Sequence, residues 1–560
     1  MSASPGVPRD RRLGVIVLLL LVTLGGGALR ASIAIHHVRV DYDEGRYLDN
    51  AAHILRGNGF LTSTVSCYFD DPPRPPRPED ISSPFYPYLL AGLFAVTGAS
   101  FTAAKVLSVI LGTAAIPLTF LLGRRLAGGG AGLIAATALA FQPDQVIVGA
   151  WAMTEGAYSV LVIAALLCAA PFAIGGSSPP SSWRLRALGL AIGLLYLMRQ
   201  NGAAVAAPIA ALIAVGPLSP GERRPGRLAL AVGVGAIALV VCVPWFSRNV
   251  SEFGSPTFSR MRNIAWAAEG RSLYTPGVPS PSLHRFMEEQ GVAGLASSFA
   301  RRTSRVTAAL FRSERGPFRV LSFLALLAPI LTGLRALSAI TLPPVLLSSL
   351  MFLGVAPWSG ALPRYFLPLR PLLYIAGAAV LVESWRWLRP RMEGSLGVRG
   401  ERSRAVDVAV LGAGLVAALW AATTAVPVIR AYLAVDQSPA DTAAREAAAW
   451  IAARTKAGDV LLEGGSLHQY AWLFDRGVVW IPFGDLEALF RVADHYDARY
   501  VAITPEVLRF RPALARQWRV EGRAVRPLDL PDSLTPLYEH GEEGIIIYGI
   551  GRGATGRDLE

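Results

Sequence analysis

The chain has 560 residues, of which 52% are hydrophobic and 17% charged. Its mean hydropathy is +0.42, which excludes an ordinary soluble protein of several domains and points to a chain that crosses a membrane many times. The net charge of +13 is carried almost wholly by arginine, since Lys105 and Lys456 are the only lysines; many of these arginines stand between apolar runs, as cytoplasmic loops and anionic lipid would place them, so no nucleic-acid partner is implied.

In chain order, Arg9, Arg11 and Arg12 precede an apolar run at 13–35 that is long enough to cross a bilayer. The run is longer than a signal-peptide core and has no clear small-residue cleavage site after it, so it reads as a retained helix with the N-terminus inside. Directly after it comes DYDEGRYLD at 41–49, four acids and an arginine at one membrane edge. Such acids either solubilise and cap a helix end or carry chemistry on a membrane-held substrate. Apolar residues Tyr47, Ala51, Ile54 and Leu55 keep helical spacing, predicting a short amphipathic helix on the outer face. The proline-rich stretch at 71–78 is a loop, and the short apolar run at 84–96 is assigned to the interface so that Arg124 and Arg125 stay cytoplasmic.

Further crossings are expected at 102–122, 131–148, 151–174, 188–198, 203–215, 228–245, 318–334, 337–355, 365–382 and 406–428, with a large outer loop at 247–317. The total is about eleven crossings, and an odd number leaves the C-terminal region outside. From about Gln437 the composition becomes that of a soluble domain, with an alanine-rich helix at 443–455, strands at 460–463, 478–481 and 500–504, and a helix at 486–494. The fold class expected is mainly α, a polytopic membrane helix bundle with a C-terminal soluble α/β domain. The membrane domain spans 1–430, with its first outer loop at 36–84, and the extracytoplasmic domain spans 437–560. Cys67, Cys168 and Cys242 imply no disulfide framework.

This topology gathers polar residues at outer helix ends: Asp41, Asp43, Glu44, Gln142, Asp144, Thr154, Glu155, Arg199, Gln200, Asn201, Arg248, Asn249 and Arg364. Glu155 opens a crossing helix, where an acid either complements the helix dipole or serves a site. Arg364 and Arg199 either hold a phosphate through their forked donors or snorkel to the interface. No histidines stand at metal spacing. A metal site stays undefined, with no cofactor certain, although the acids are compatible with a divalent cation.

Several landmarks, in order, resemble those of the bacterial polyprenyl-phosphate-sugar-dependent glycosyltransferases. This is the C-type membrane group that includes protein O-mannosyltransferases and aminoarabinose transferases. The landmarks are DYDEGRY at 41–47 with AAHILRGNGF at 51–60, SPFYP at 83–87, Thr154-Glu155, LMRQ at 197–200, PWFSRN at 244–249 with FGSP at 253–256, and RYFLPL at 364–369. The resemblance covers roughly residues 10–385. It implies inverting transfer of a sugar from a polyprenyl-phosphate donor to a glycan, lipid or protein acceptor, outside a bacterial plasma membrane. Asp43 and Glu44 take the family's catalytic position, with Asp43 as general base. Glu155 takes the second acidic position, which orients the acceptor. Arg364, with Arg199 and Arg248, would meet the departing phosphate. The family's usual Arg-Pro is Arg199-Gln200 here, which weakens the role carried to Arg199. A transporter or lipid flippase is the competing class, but it would show internal repeats and mid-membrane polar groups, and none is evident.

Overall fold

The computed structural model describes residues 9–40, 42–174, 181–218, 223–261, 263–267, 270–312, 314–353, 362–395, 420, 423–434, 439–456, 458–464, 471–474 and 476–551. Asp41, residues 396–404 and most of the crossing expected at 406–428 lie outside them. The described residues are mainly helical. Among the described residues, six helices are long and apolar enough to cross a membrane: Leu13–His36, Phe101–Ala127, Thr154–Ile174, Arg224–Phe253, Arg335–Phe352 and Pro363–Arg391. Shorter apolar helices lie at Phe85–Thr97, Gly129–Phe141 and Gln200–Val215. The chain is an integral multi-pass membrane protein with a strand-containing C-terminal region.

Two expected crossings are interrupted. The run at 131–148 splits at Gln142-Pro143 into Gly129–Phe141 and Pro143–Val148. Proline has no N–H to continue the first helix, and the Gln142 side chain instead accepts from the Gln145 backbone N–H at 2.7 Å, starting a second. The run at 318–334 ends as helix at Ala325, in the segment Gly316–Ala325, and continues through turns to Arg335–Phe352. Apolarity sets both runs apart from loops, but it cannot locate where hydrogen bonding breaks.

The described residues fall into two compact units, one drawn from 1–35, 104–248 and 299–433, the other from 36–103, 249–298 and 434–560. In the first, helices approach closely through small residues. A Cβ on Gly123 would lie 2.7 Å from the Gly132 Cα, so neither position admits a side chain without moving a helix. Arg30, buried inside the first apolar helix, donates to Gly26 O at 2.9 Å, Leu139 O at 3.1 Å and Ala140 O at 3.3 Å. These last two are end-carbonyls of Gly129–Phe141, where a cation meets the negative end of the helix dipole.

The second unit is built on a six-stranded sheet ordered Thr64–Val65, Gly477–Trp480, Val460–Glu463, Ala498–Ile503, Ile545–Ile550 and Leu534–His540. Its first four strands run parallel and the last two are antiparallel. The edge strand Thr64–Val65 comes from the first loop, so the sheet joins residues some four hundred positions apart in the chain. Val460, Leu462, Val479, Val501, Ile503 and Ile546 form its buried face together with Val65 and Tyr68. Alternating strands and helices are legible as α/β, whereas the later strands Trp518–Glu521, Ala524–Pro527, Leu534–His540 and Ile545–Ile550 were not expected.

The helix expected to lie on the outer face, Tyr42–Leu55, is largely buried instead, packed on Phe85–Thr97 and Ala471–Phe474. Its polar side chains are buried because each finds a partner inside the unit. Asp49 accepts from the Ser63 N–H at 2.6 Å and the Ser63 hydroxyl at 2.7 Å. Asn50 donates to Leu61 O at 2.8 Å and Glu79 Oε2 at 3.0 Å. These bonds offset the desolvation that would otherwise keep the helix at a surface.

Asp80 ties the two loops of this unit together. Its carboxylate receives Arg77 Nη1 at 2.7 Å and Arg260 Nε at 2.6 Å, and Arg260 also donates to Phe69 O. Burial raises the Asp80 carboxyl, but the two guanidiniums and their hydrogen bonds outweigh it and hold it below 3.8, its ordinary value. A depressed folded pKa contributes stability above the ordinary carboxyl value and loses it as pH falls through the lower folded one. Asp80→Asn is therefore expected to destabilise this unit by about 3 kcal/mol at neutral pH. It should also flatten the acid side of the melting-temperature profile, measured by circular dichroism of the detergent-solubilised chain; an unchanged acid limb would refute the assignment.

Candidate active site

The helix Tyr42–Leu55 places Asp43 and Glu44 in its first turn, where carboxylates complement the exposed N–H groups. Consecutive helical positions point about 100° apart, so the two acids diverge. Glu44 is fully buried, with Oε2 3.0 Å from Nε2 of buried His37, while Asp43 is half-buried. On the same helix, Arg46 donates to Ser66 Oγ at 3.0 Å. His53, whose Nε2 lies 2.9 Å from Ser63 Oγ and 3.7 Å from Asp49 Oδ1, belongs to the packed interior. Asp49 is likewise internal, and burial pushes its carboxyl upward. Of the described acids in the motif, Asp43 is the one that retains solvent access.

In the other unit, Glu155, Arg199 and Arg364 come together. Glu155 follows Thr154, the first residue of the helix Thr154–Ile174. Arg199 stands where Ser182–Met198 ends and extended backbone leads into the short turn Gln200–Gly202. Arg364 lies on the single helical turn Leu362–Tyr365. Glu155 Oε1 accepts from Arg199 Nη2 at 2.6 Å and lies 3.2 Å from Arg364 Nε as an ion pair. Arg199 also donates through Nε to Thr154 Oγ1 at 2.7 Å, and Arg364 Nη1 lies 3.1 Å from Met153 Sδ. The Arg199 guanidinium sits 5.9 Å from the Tyr158 ring centre and 5.7 Å from that of Tyr365, within cation–π range.

Two guanidiniums thus gather on one carboxylate in a largely buried place. Glu155 Oε2 and the Tyr158 hydroxyl are buried with no hydrogen-bond partner among the described residues. Forked arginine donors of this kind match the oxygens of a phosphate. Arg248 is not part of this group of contacts: it lies over the Trp245 ring at 5.1 Å. Asp144 contacts buried Arg370 at 3.4 Å, and Arg370 contacts Glu314 at 3.3 Å. Tyr374 and Ser322 donate to Glu314 at 2.8 and 2.6 Å.

Arg370 and Glu314 were not singled out in the sequence, although an arginine within a long apolar run was signal enough for Arg370. Tyr158 and Met153 give no such signal, because an aromatic or a methionine in an apolar run is ordinary. Among the described residues no three His, Cys, Asp or Glu side chains come together as metal ligands. Glu44 is engaged by His37, and Glu155 by two arginines.

If Glu155 is the shared anchor, its loss and that of Arg199 are not independent. Glu155→Gln is expected to destabilise the detergent-solubilised chain by about 3 kcal/mol. Combined with Arg199→Met in a double-mutant cycle, it should show a coupling of about 1–3 kcal/mol, read from SDS unfolding titrations. Additive effects would mean that the pair does not interact.

Residues 77–247 match the family model described as dolichyl-phosphate-mannose-protein mannosyltransferase. No curated protein matches the chain in sequence. Among solved structures, ArnT from Cupriavidus metallidurans bound to undecaprenyl phosphate is similar with a TM-score of 0.52 at 16% identity, covering 97% of this chain and 99% of that one. The Archaeoglobus fulgidus oligosaccharyltransferase in complex with Zn and sulfate aligns with a TM-score of 0.55 at 14% identity, over 90% of this chain and 71% of that one. The oligosaccharyltransferase AglB from the same archaeon, in complex with an inhibitory peptide and a dolichol-phosphate, gives 0.50 at 16% identity over 89% and 70%. At these identities the structural likeness establishes the fold. The chain is thus similar over residues 77–247 to the family described as dolichyl-phosphate-mannose-protein mannosyltransferase, and similar in fold to these solved structures over most of its length.

Proposed function

We propose that the chain transfers a sugar, with inversion, from a polyprenyl-phosphate donor to an acceptor on the extracytoplasmic side of a bacterial plasma membrane. On this reading the N-terminus is cytoplasmic and the C-terminal region extracytoplasmic. The observation that carries the proposal is the gathering of two guanidiniums on the single carboxylate of Glu155, whose forked donors suit a phosphate. The family match over 77–247 and the undecaprenyl phosphate and dolichol-phosphate named with the similar structures support the same donor class.

In the step proposed, the Asp43 carboxylate takes the proton of an acceptor hydroxyl as its oxygen bonds to the anomeric carbon. The bond from that carbon to the phosphate oxygen breaks on the opposite face, and the electron pair leaves with the polyprenyl phosphate. Arg364 and Arg199 meet the charge that develops on the phosphate, where preorganised cations lower the barrier most. Lipid phosphate is already a competent leaving group, so a base and a cationic cradle are the two contributions required of the protein. Glu155 holds the cations and leaves Oε2 for an acceptor contact. Glu44, paired with His37, fixes the helix turn that carries Asp43, and Arg248 has a lesser place beside the phosphate group.

Asp43→Asn keeps the side-chain shape and removes the base. Transfer from a polyprenyl-phosphate sugar in membranes should fall by about 10²–10⁴-fold, with expression and melting temperature unchanged, as followed by incorporation of a radiolabelled sugar. Transfer at the wild-type rate would rule Asp43 out as the base.

A further inference from the structure

Within the second unit, residues between Trp266 and Gln290 line an open cavity of about 470 Å³ that none of the residues assigned to transfer lines. Its volume lies in the range of about 300–1,000 Å³ usual for small-ligand sites. Two kinds of element build it. The short turn Ile264–Trp266 brings in Trp266, and the first turns of the helix Leu283–Arg312 bring in Arg285, Phe286, Glu289 and Gln290, while Thr275 comes from the connection between them.

The lining has two characters. Phe286 is buried, and its ring centre lies 6.1 Å from that of Trp266 at 57°, so it steadies the half-buried indole from one side. Around this aromatic floor stand exposed polar side chains of both senses: the forked donors of Arg285, the carboxylate of Glu289, and the amide of Gln290, which donates and accepts. Arg285 Nε meets Glu289 Oε1 at 2.8 Å, so the charged pair sums to zero.

That combination excludes some occupants. With the Arg285 guanidinium neutralised by Glu289, the cavity has no surplus charge for a phosphate. Part of the lining is the irregular stretch from Thr275 to Ser282, whose Pro279 and Pro281 lack the N–H donors that an added extended peptide would need. A pyranose ring fits the remainder. One face of such a ring is a patch of C–H bonds that suits the negative face of an indole, and its rim carries hydroxyls that each donate and accept.

We propose that this cavity is a carbohydrate-binding subsite that holds a pyranose of an oligosaccharide acceptor, with Trp266 as stacking platform and Arg285, Glu289 and Gln290 as hydroxyl partners. The proposal rests on the transfer reading above and narrows its acceptor to a glycan.

The test uses the full chain in lipid nanodiscs. The probe is the oligosaccharide pool released by mild acid from the envelope of the source cells and labelled with a fluorophore at its reducing end. Wild-type protein should retain labelled sugar on a spin filter. Trp266→Ala should retain at least about tenfold less, Trp266→Phe should keep most of the retention, and Glu288→Gln, outside the lining, should match wild type. In the transfer assay, Trp266→Ala should raise the acceptor KM by a similar factor with kcat within about twofold. No sugar retained by wild type, equal retention by Trp266→Ala, or retention of tryptic envelope peptides in place of sugars would overturn the subsite. Retention requires no turnover, so a chain that holds sugar but transfers none contradicts the transfer reading alone. A chain that transfers with an unchanged KM in Trp266→Ala contradicts the subsite alone.

Discussion

Much of the first unit's chemistry depends on one carboxylate serving two guanidiniums. Glu155 Oε1 accepts from Arg199 and forms an ion pair with Arg364, and the three residues come from separate segments of the chain. Charges of this kind are costly to bury and persist where they are paired and hydrogen-bonded. Each arginine carries a further restraint, Arg199 through Thr154 and two tyrosine rings and Arg364 beside Met153. The group is thereby preorganised, as a site for a developing negative charge requires. The network around Arg370 is built the other way. There one guanidinium meets two carboxylates, Asp144 and Glu314, and a tyrosine and a serine donate to Glu314. Burial raises the Glu314 carboxyl, and the Arg370 charge and those two donors only partly oppose it. The two clusters thus differ in kind: one presents cations, the other satisfies acids internally.

The second unit shows how segments far apart in the chain can share one core. Thr64–Val65 pairs with Gly477–Trp480, Tyr68 donates to Trp480 O, and Tyr496 donates to Pro72 O at 2.9 Å. Asp80 then binds the loop at 249–298 through Arg260. The helix that carries Asp43 is held within this framework by its buried polar partners, so the position of the proposed base is set by sheet pairing and loop anchoring as well as by the helix itself. A role for the C-terminal residues follows from this packing: they supply the sheet to which the first loop is pinned.

What could be read from the sequence divides along physical lines. Membrane-length apolar runs and the α/β alternation after position 437 are local signals, and the helices at 101–127, 154–174 and 335–352 and the strands at 460–463 and 498–503 appear near their expected positions. The cluster of Glu155 with Arg199 and Arg364 was within reach because charged residues at the ends of apolar runs are few and conspicuous. Burial of the helix Tyr42–Leu55 was not within reach, since its amphipathic spacing is equally suited to an interface. Only tertiary partners such as Ser63, Glu79 and Leu61 decide between the two. The two-residue strand Thr64–Val65 carries no periodicity at all, and its pairing is long-range. The divergence of Asp43 from Glu44 follows from helix geometry once the helix start is known, but the partner of Glu44, His37, lies in the turn that precedes it.

The central claim is that the cations gathered on Glu155 exist to receive a lipid phosphate. It is tested most directly by the affinity of the purified chain for undecaprenyl phosphate, measured in detergent by equilibrium binding of the radiolabelled lipid to wild type and to Arg364→Met. The account predicts a loss of affinity of about tenfold or more in the variant, the worth of one charge-assisted contact, with melting temperature nearly unchanged. Equal affinity in a folded variant would contradict it.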